Sequence, residues 1–384
     1  MTAPLIATIA FAASALYVVY ILFGYPLLLG WLAPRRHKPV HKQASFPPVS
    51  FLIAVHNGAP FIRQKLASIA ALRYPADKIE ILILSDGSTD DTEEIARTFG
   101  DPRVHVIPVA RSGKAGALNA GIARATGEVF VFTDVRQQLD PDSLRHLTAS
   151  LADPAVGVVS AELVIRQGNS SEEAYTGLYW RYEIWIRDQL SRMDSIFGAT
   201  GALYAVRREL VRPIPPGTLV DDMHLPLYAF FKGYRLIVDR AARMYDQPTA
   251  LKSEFWRKTR TLAGNYQILR AYPQLLGPGN RMWFHFVSYK FGRLLLPFAM
   301  IIAAVSAWWL PEPWDKAAIL TQVAFYALAL ADFVLPEGTG LKKLTAPART
   351  FVVLMAATVW ALSVFFVPSS KLWKAVHKGP GQPR

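Results

Sequence analysis

The stretch Ile81–Thr92, ILILSDGSTDDT, decides the fold. Ile81 to Leu84 read as a strand buried on both faces, and the run stops abruptly at Ser85 and Asp86, followed by Gly87 and further acids. A lone carboxylate at the end of a buried strand is costly unless it is paired, hydrogen-bonded or facing a ligand. In open α/β sheets, ligands lie outside the carboxyl ends of the strands. Asp86 is therefore the first candidate site residue, and what it faces is the first question.

Outward from that stretch, strand and helix patterns alternate. Residues 49–55, 79–84, 104–109, 129–133 and 156–163 read as strands, and their near-continuous apolar character suits parallel strands covered on both faces. Helical patterns fall at 60–72, 89–99, 114–125 and 141–151. This alternation predicts a doubly wound, Rossmann-like α/β sheet. Polar punctuation follows the strands at His56-Asn57-Gly58, Ser85-Asp86-Gly87 and Asp134. Ser88 is expected to cap a helix starting near Thr89, with Asp90 and Asp91 complementing its dipole. Those two acids then have a structural explanation, and Asp86 does not.

The ends of the chain differ in kind. Of 384 residues, 52% are hydrophobic and none is cysteine, which excludes disulfides and thiolate metal sites. The mean hydropathy of +0.20 comes from the two ends. Residues 4–32 carry no charge and exceed the roughly 20 residues that span a bilayer. A cleaved signal peptide needs a basic start and a shorter apolar core, and neither is present. Arg35, Arg36, Lys38 and Lys42 follow as the basic flank of the cytoplasmic side. Three further spans are expected at 283–309, 317–335 and 350–367, with Lys290 and Arg293 snorkelling to the interface. The expected organisation is a membrane anchor at 1–34, a cytoplasmic domain at 45–250, an amphipathic interface helix at 251–280 with the stripe Phe255, Leu262, Tyr266 and Leu269, spans over 283–367 and a basic tail at 368–384. The expected location is a cell membrane of the bacterial inner-membrane type, crossed several times. With three further spans the tail lies outside, against the bias of Lys371, Lys374, Lys378 and Arg384; if 283–309 turns back without crossing, the tail lies inside. The formal charge of +13 concentrates near these segments. Lipid headgroups and a phosphate-bearing substrate account for it better than nucleic acid, which is not an expected partner.

Four stretches, VSFLIAVHNGAPFI, ILILSDGSTDDT, GKAGALNAGIARATGEVFVFTDV and VDDMHLPLYAFFKGYRL, occur in this order. Together they resemble the family-2 glycosyltransferases, and more narrowly the membrane-embedded synthases of cellulose, chitin oligosaccharides, hyaluronan and poly-N-acetylglucosamine. The resemblance implies an A-type glycosyltransferase fold set between transmembrane helices. It also implies a UDP-sugar donor at the strand ends and transfer with inversion onto a growing polysaccharide or oligosaccharide. Two other readings stand beside it. One is transfer of a single sugar to a lipid carrier or glycolipid, and the other is an inactive nucleotide-sugar-binding regulator of a membrane assembly. Export machinery is a further expected partner of a polymer-making enzyme.

The same resemblance implies roles. Asp86 matches the family aspartate that holds the uracil or ribose, which would make a nucleotide its missing partner; capping of the following helix is the structural alternative. His56 and Asn57 match the loop that touches the nucleobase, although Asn57-Gly58 also makes an ordinary turn. Lys114 is a candidate for balancing donor phosphate. Asp222, and Asp221 before it, match the end of the family's base motif, and a second carboxylate nearby raises a base's pKa. The family's metal motif, Asp-x-Asp, reads Asp134-Val135-Arg136 here. Asp134 alone is left as a metal ligand, so a divalent cation (Mg2+ or Mn2+) is an open expectation, and Arg136 is offered as a direct phosphate contact. Arg260 matches the arginine that contacts the pyrophosphate, without the glutamine and tryptophan that usually flank it. Gly198, Ala199 and Thr200 match the acceptor loop, and Trp180 is a candidate for stacking on a sugar face, with core packing as its alternative.

Overall fold

The structure is a computed structural model that describes the backbone of residues 2–165, 171–246, 251–336 and 339–368, and the side chains of these except 171–180 and 251–254. It divides into two compact units. One comprises Ala33–Arg166 and Ile184–Pro248, the other Met1–Leu32, Gln167–Glu183 and Thr249–Arg384.

The first unit is built on one sheet. β1 (Val49–Val55), β2 (Ile79–Asp86), β3 (Val104–Val109) and β4 (Val129–Thr133) run parallel. Phe51, Ile53, Ile81, Ile83 and Val131 are wholly buried, which is why their sequences show no polar alternation. Helices Ala59–Ala70 and Gly113–Ile122 make the crossovers from β1 to β2 and from β3 to β4. The second lies so close to the sheet that a Cβ on Gly121 would stand 2.5 Å from the Leu84 side chain. Asn119 on the same helix exchanges hydrogen bonds with the Ile214 backbone, both 2.8 Å.

Beyond β4 the sheet departs from the expected parallel pattern. β5 (Gln138–Leu139), β6 (Val156–Ile165), β7 (Leu203–Arg207) and β8 (Arg235–Asp246) complete the order β3-β2-β1-β4-β7-β6-β8-β5. β7 enters antiparallel between β4 and β6, so the sheet is mixed. Its five residues, LYAVR, are too short for periodicity to announce them.

The helix expected at 89–99 is Thr92–Arg97, and Ser88 does not cap it. Ser88 Oγ accepts instead from the Asn57 amide at 3.2 Å. Asp90 turns the chain, accepting from the Thr92 amide at 3.2 Å and the Ala59 amide at 3.0 Å. The loops after β1 and β2 are thereby stitched together.

Among the described residues, three helical stretches are long and apolar enough to cross a membrane: Ala3–Arg35, Trp283–Trp309 and Lys342–Phe365. The expected span at 317–335 forms the helix Trp314–Ala331, which is not among them and carries Asp315 and Lys316 in its first turn. Asp332, at its end, is buried against Arg349 (2.9 Å), Lys342 (3.4 Å) and Thr345 Oγ1 (2.6 Å), which ties this helix to Lys342–Trp360. A row of tyrosines joins the first stretch to the second. Tyr17 donates to the Gly292 carbonyl (3.0 Å), Tyr20 meets Ser288 Oγ (2.7 Å) and Tyr25 meets His285 Nδ1 (3.2 Å). Such interhelical bonds suit helices whose surroundings offer few other polar partners. Arg293 does not snorkel: it is ion-paired with Glu183, which also accepts from Tyr289 at 2.5 Å. The expected interface helix spans Leu251–Ala271, but Thr259, Ala263 and Tyr266 are buried on it and the Tyr266 ring lies 5.9 Å from that of Phe365. Part of its expected lipid face is therefore covered by protein. The side chain of Trp180 and the tail from 369 onward lie outside the described residues.

Candidate active site

The loop after β3 folds over the end of β2 and answers the question Asp86 raises. Its carboxylate accepts from the amides of Ser112 (2.7 Å) and Gly113 (3.1 Å) and is ion-paired with Arg111. Those amides open the helix Gly113–Ile122, so Asp86 caps that helix and not the one that follows it in sequence. The buried charge is thus compensated within the chain, and Arg111, which the sequence reading did not single out, is part of the answer. Around it, Gly87 takes φ +61°, with the Arg111 backbone nitrogen 3.3 Å from where a Cβ would sit. His56 Nδ1 lies 3.0 Å from the Asp86 carbonyl. Asn57, at φ 52°, accepts from the Thr89 amide at 2.9 Å. His56, Asn57 and Asp86 therefore line one rim, and Asn57 serves the turn as well.

The second group is charged. Asp134, just beyond β4, sits opposite Asp221 and Asp222 at the start of the helix Asp221–Phe231. Lys114 bridges them, 3.0 Å from Asp134 and 3.2 Å from Asp221. Burial alone would lower the lysine's pKa, but Asp134, Asp221 and Asp222 outweigh it and hold the ammonium charged well above its ordinary range. Asp221 is buried, and among the described residues its second oxygen has no hydrogen-bond partner. Tyr204 Oη, on β7, is wholly buried and also lacks one among them. Burial first, then the charges of Asp221, Asp222 and Asp134, push the phenol's pKa far up. Two adjacent acids thus have separate surroundings, as neighbouring positions on a helix require. Asp221 faces a lysine, and Asp222 faces a glycine-rich loop.

That loop is Gly198-Ala199-Thr200-Gly201. The Ala199 amide donates to the Asp222 carbonyl (2.7 Å) and the Gly201 amide to the Asp222 carboxylate (3.1 Å). A Cβ on Gly198 would come within 2.4 Å of Met223, and one on Gly201 within 2.9 Å of Asp222 Oδ2. Close approach explains both glycines.

Arg136 stands where the family pattern has its second metal-binding acid, and one of its terminal nitrogens is ion-paired with Asp246 at the end of β8 (2.5 Å), which also accepts from Gln137 (2.8 Å). Beneath lies Lys65, wholly buried, donating to Thr133 Oγ1 at 2.9 Å. Burial pushes its pKa down to about 7, against the pull of Asp134 and Asp246. Sequence reading missed Lys65 and Asp246 because each looks ordinary until the fold brings a partner from 68 or 110 positions away. Arg260 belongs to the second unit, on the helix Leu251–Ala271.

A divalent cation finds little prepared for it. Among the described residues no three acids or histidines are grouped to hold a metal. Asp134, partly open to solvent, offers one carboxylate with an oxygen already engaged by Lys114. A single carboxylate suffices for an ion whose remaining ligands are waters and substrate phosphates. The donor set therefore fits an ion that arrives with a diphosphate, and not a cage made by the protein.

Comparison with known proteins is consistent with this geometry. Residues 50–214 match the profile of Glycosyl transferase family 2, and residues 134–366 that of Glycosyl transferase family group 2. The probable glycosyltransferase YdaM of Bacillus subtilis is 26% identical over 318 residues, covering 77% of this chain and 76% of that protein. The beta-monoglucosyldiacylglycerol synthase of a Nostoc species is 25% identical, over 70% of this chain and 60% of the relative. Among solved structures, the mannosyltransferase PcManGT of Pyrobaculum calidifontis, in complex with GDP-Man and Mn2+, aligns over 92% of this chain and 98% of its own at a TM-score of 0.69 and 26% identity.

Proposed function

The chain belongs to the family-2 glycosyltransferases, and on that premise we propose that it moves a sugar from a UDP-sugar to an acceptor hydroxyl by a single inverting displacement at a membrane surface. The observation that carries this reading is the placing of Asp134, Lys114, Asp221 and Asp222 in one cluster at the strand ends. His56, Asn57 and Asp86 would hold the nucleoside. Lys114 and Asp134 would meet the diphosphate, with Arg136 as a further phosphate contact; Arg136 would first have to leave Asp246. A divalent cation brought by the donor would sit on Asp134 and supply charge neutralisation to the leaving diphosphate. Asp222 would take the proton of the acceptor hydroxyl, and the loop of Gly198, Ala199 and Thr200 would lie along the incoming sugar. The catalytic unit would be cytoplasmic, after a first span with its amino terminus outside.

For the acceptor, the four motifs favour the end of a growing saccharide, as in the polymer synthases they resemble. A lipid hydroxyl is the second reading, favoured by the glycolipid synthase that aligns over 70% of this chain. Purified protein supplied with labelled nucleotide sugars and native membranes separates the two. Label in an aqueous, size-graded fraction supports the first, label confined to the organic extract supports the second, and no transfer from any UDP-sugar contradicts both.

Because the chain offers one carboxylate to a metal, activity is expected to fall on EDTA treatment and to return only at millimolar Mg2+ or Mn2+. Turnover measured at graded free Mn2+ checks this. Tight, sub-micromolar dependence would show a protein-built site.

A further inference from the structure

We propose that Ser160 and Arg187 are positioning residues for Asp222, acting through the loop 198–201; this rests on the reading of Asp222 as the base. Neither residue belongs to the motifs, and both lie in the same compact unit as the loop. Ser160, on β6, is wholly buried. Its Oγ accepts from the Thr200 amide at 2.9 Å and from the Arg187 guanidinium at 3.1 Å. The same guanidinium nitrogen reaches the Gly198 carbonyl at 3.3 Å. The loop is therefore held from two sides in alternation. Gly198 and Thr200 turn their polar atoms to the Arg187–Ser160 pair, while the amides of Ala199 and Gly201 turn to the backbone and the carboxylate of Asp222.

This alternation gives the loop a single setting. An amide bonded to a carboxylate favours its charged form and fixes one of its oxygens. The Gly201 amide does both for Asp222, and it stays in register only while Thr200, its neighbour, is held by Ser160. A displacement of about 1 Å in a reacting group costs on the order of a hundredfold in rate. Anchoring the strap on a buried strand and a long helix puts the base on rigid elements although the strap itself is a loop. Ser160 and Arg187 touch neither donor nor acceptor in this scheme; they act through the backbone.

Turnover against pH, together with UDP titration, tests it. Ser160→Ala is expected to lower kcat roughly ten- to a hundredfold. It is also expected to shift the acidic limb of the kcat profile to higher pH, because Asp222 loses the amide that favours its charged form. UDP affinity should stay within about twofold, since the nucleoside rim is untouched. Arg187→Lys, whose shorter side chain stops short of where the guanidinium nitrogen meets both Ser160 and Gly198, should give a weaker shift of the same sign. An acidic limb that stays in place in both variants overturns the proposal, whatever happens to kcat. Where Ser160→Ala loses UDP binding altogether, the acidic limb of Arg187→Lys decides: a shift to higher pH supports the proposal, and an unmoved limb overturns it. Failure of the base reading looks different: Asp222→Asn would then keep its turnover.

Discussion

Asp222→Asn is expected to lower transfer by roughly a hundred- to ten-thousandfold, the contribution of a general base, while UDP binding stays nearly intact. The substitution keeps the side chain's size, and the Gly201 amide, 3.1 Å from the carboxylate, can still donate to the amide oxygen. What disappears is the proton acceptor. The effect should therefore fall on kcat and leave the donor KM alone. Asp221→Asn separates the two acids. Its carboxylate faces Lys114 at 3.2 Å, so its loss should disturb donor binding as well as turnover. Near-normal turnover in Asp222→Asn would remove it from its role.

Lys114→Met is expected to be the most damaging substitution outside the base itself. The ammonium lies between Asp134 and Asp221, and Asp221 is 5% exposed. Removing the cation leaves a buried carboxylate without its partner, at a cost of roughly 3 kcal/mol, the low end for a broken buried pair because Asp134 can still reach water. Thermal unfolding of the detergent-solubilised protein should show a lowered midpoint, and turnover should fall by at least about a hundredfold as the diphosphate loses its counter-charge. Ionisation works in the same direction. The carboxylates keep Lys114 charged far above neutral pH, so neither effect should be relieved between pH 6 and about pH 9. An unchanged midpoint with unchanged turnover would show that the bridge between the acids is incidental.

The sequence made the first half of the sheet readable because β1, β2 and β4 are short apolar runs that end in polar residues. Asp86 stood out for the same reason, as a charge where burial demands a partner. Its partner was not readable, since Arg111 is 25 positions away and looks like any exposed arginine. The antiparallel β7 was hidden in a stretch whose glycines drew attention to the loop before it. Arg136 shows the limit of motif reading. Its departure from the Asp-x-Asp pattern was visible, but its pairing with Asp246 depends on where β8 ends. Ser160 carries no pattern at all; only the meeting of β6, the helix Ser171–Met193 and the loop 198–201 gives it a task.

In the proposed reaction a nucleotide would sit at the rim formed by His56, Asn57 and Asp86, apart from the base. Calorimetric titration of UDP into wild-type protein, Asp86→Ala and Asp222→Asn tests it most directly. Wild type and Asp222→Asn should bind UDP alike. Asp86→Ala, which frees Arg111 and the amides of Ser112 and Gly113 from their carboxylate, should bind at least about tenfold more weakly, a difference of about 1.4 kcal/mol. Equal UDP affinity in all three proteins, or loss of binding in Asp222→Asn alone, would contradict it.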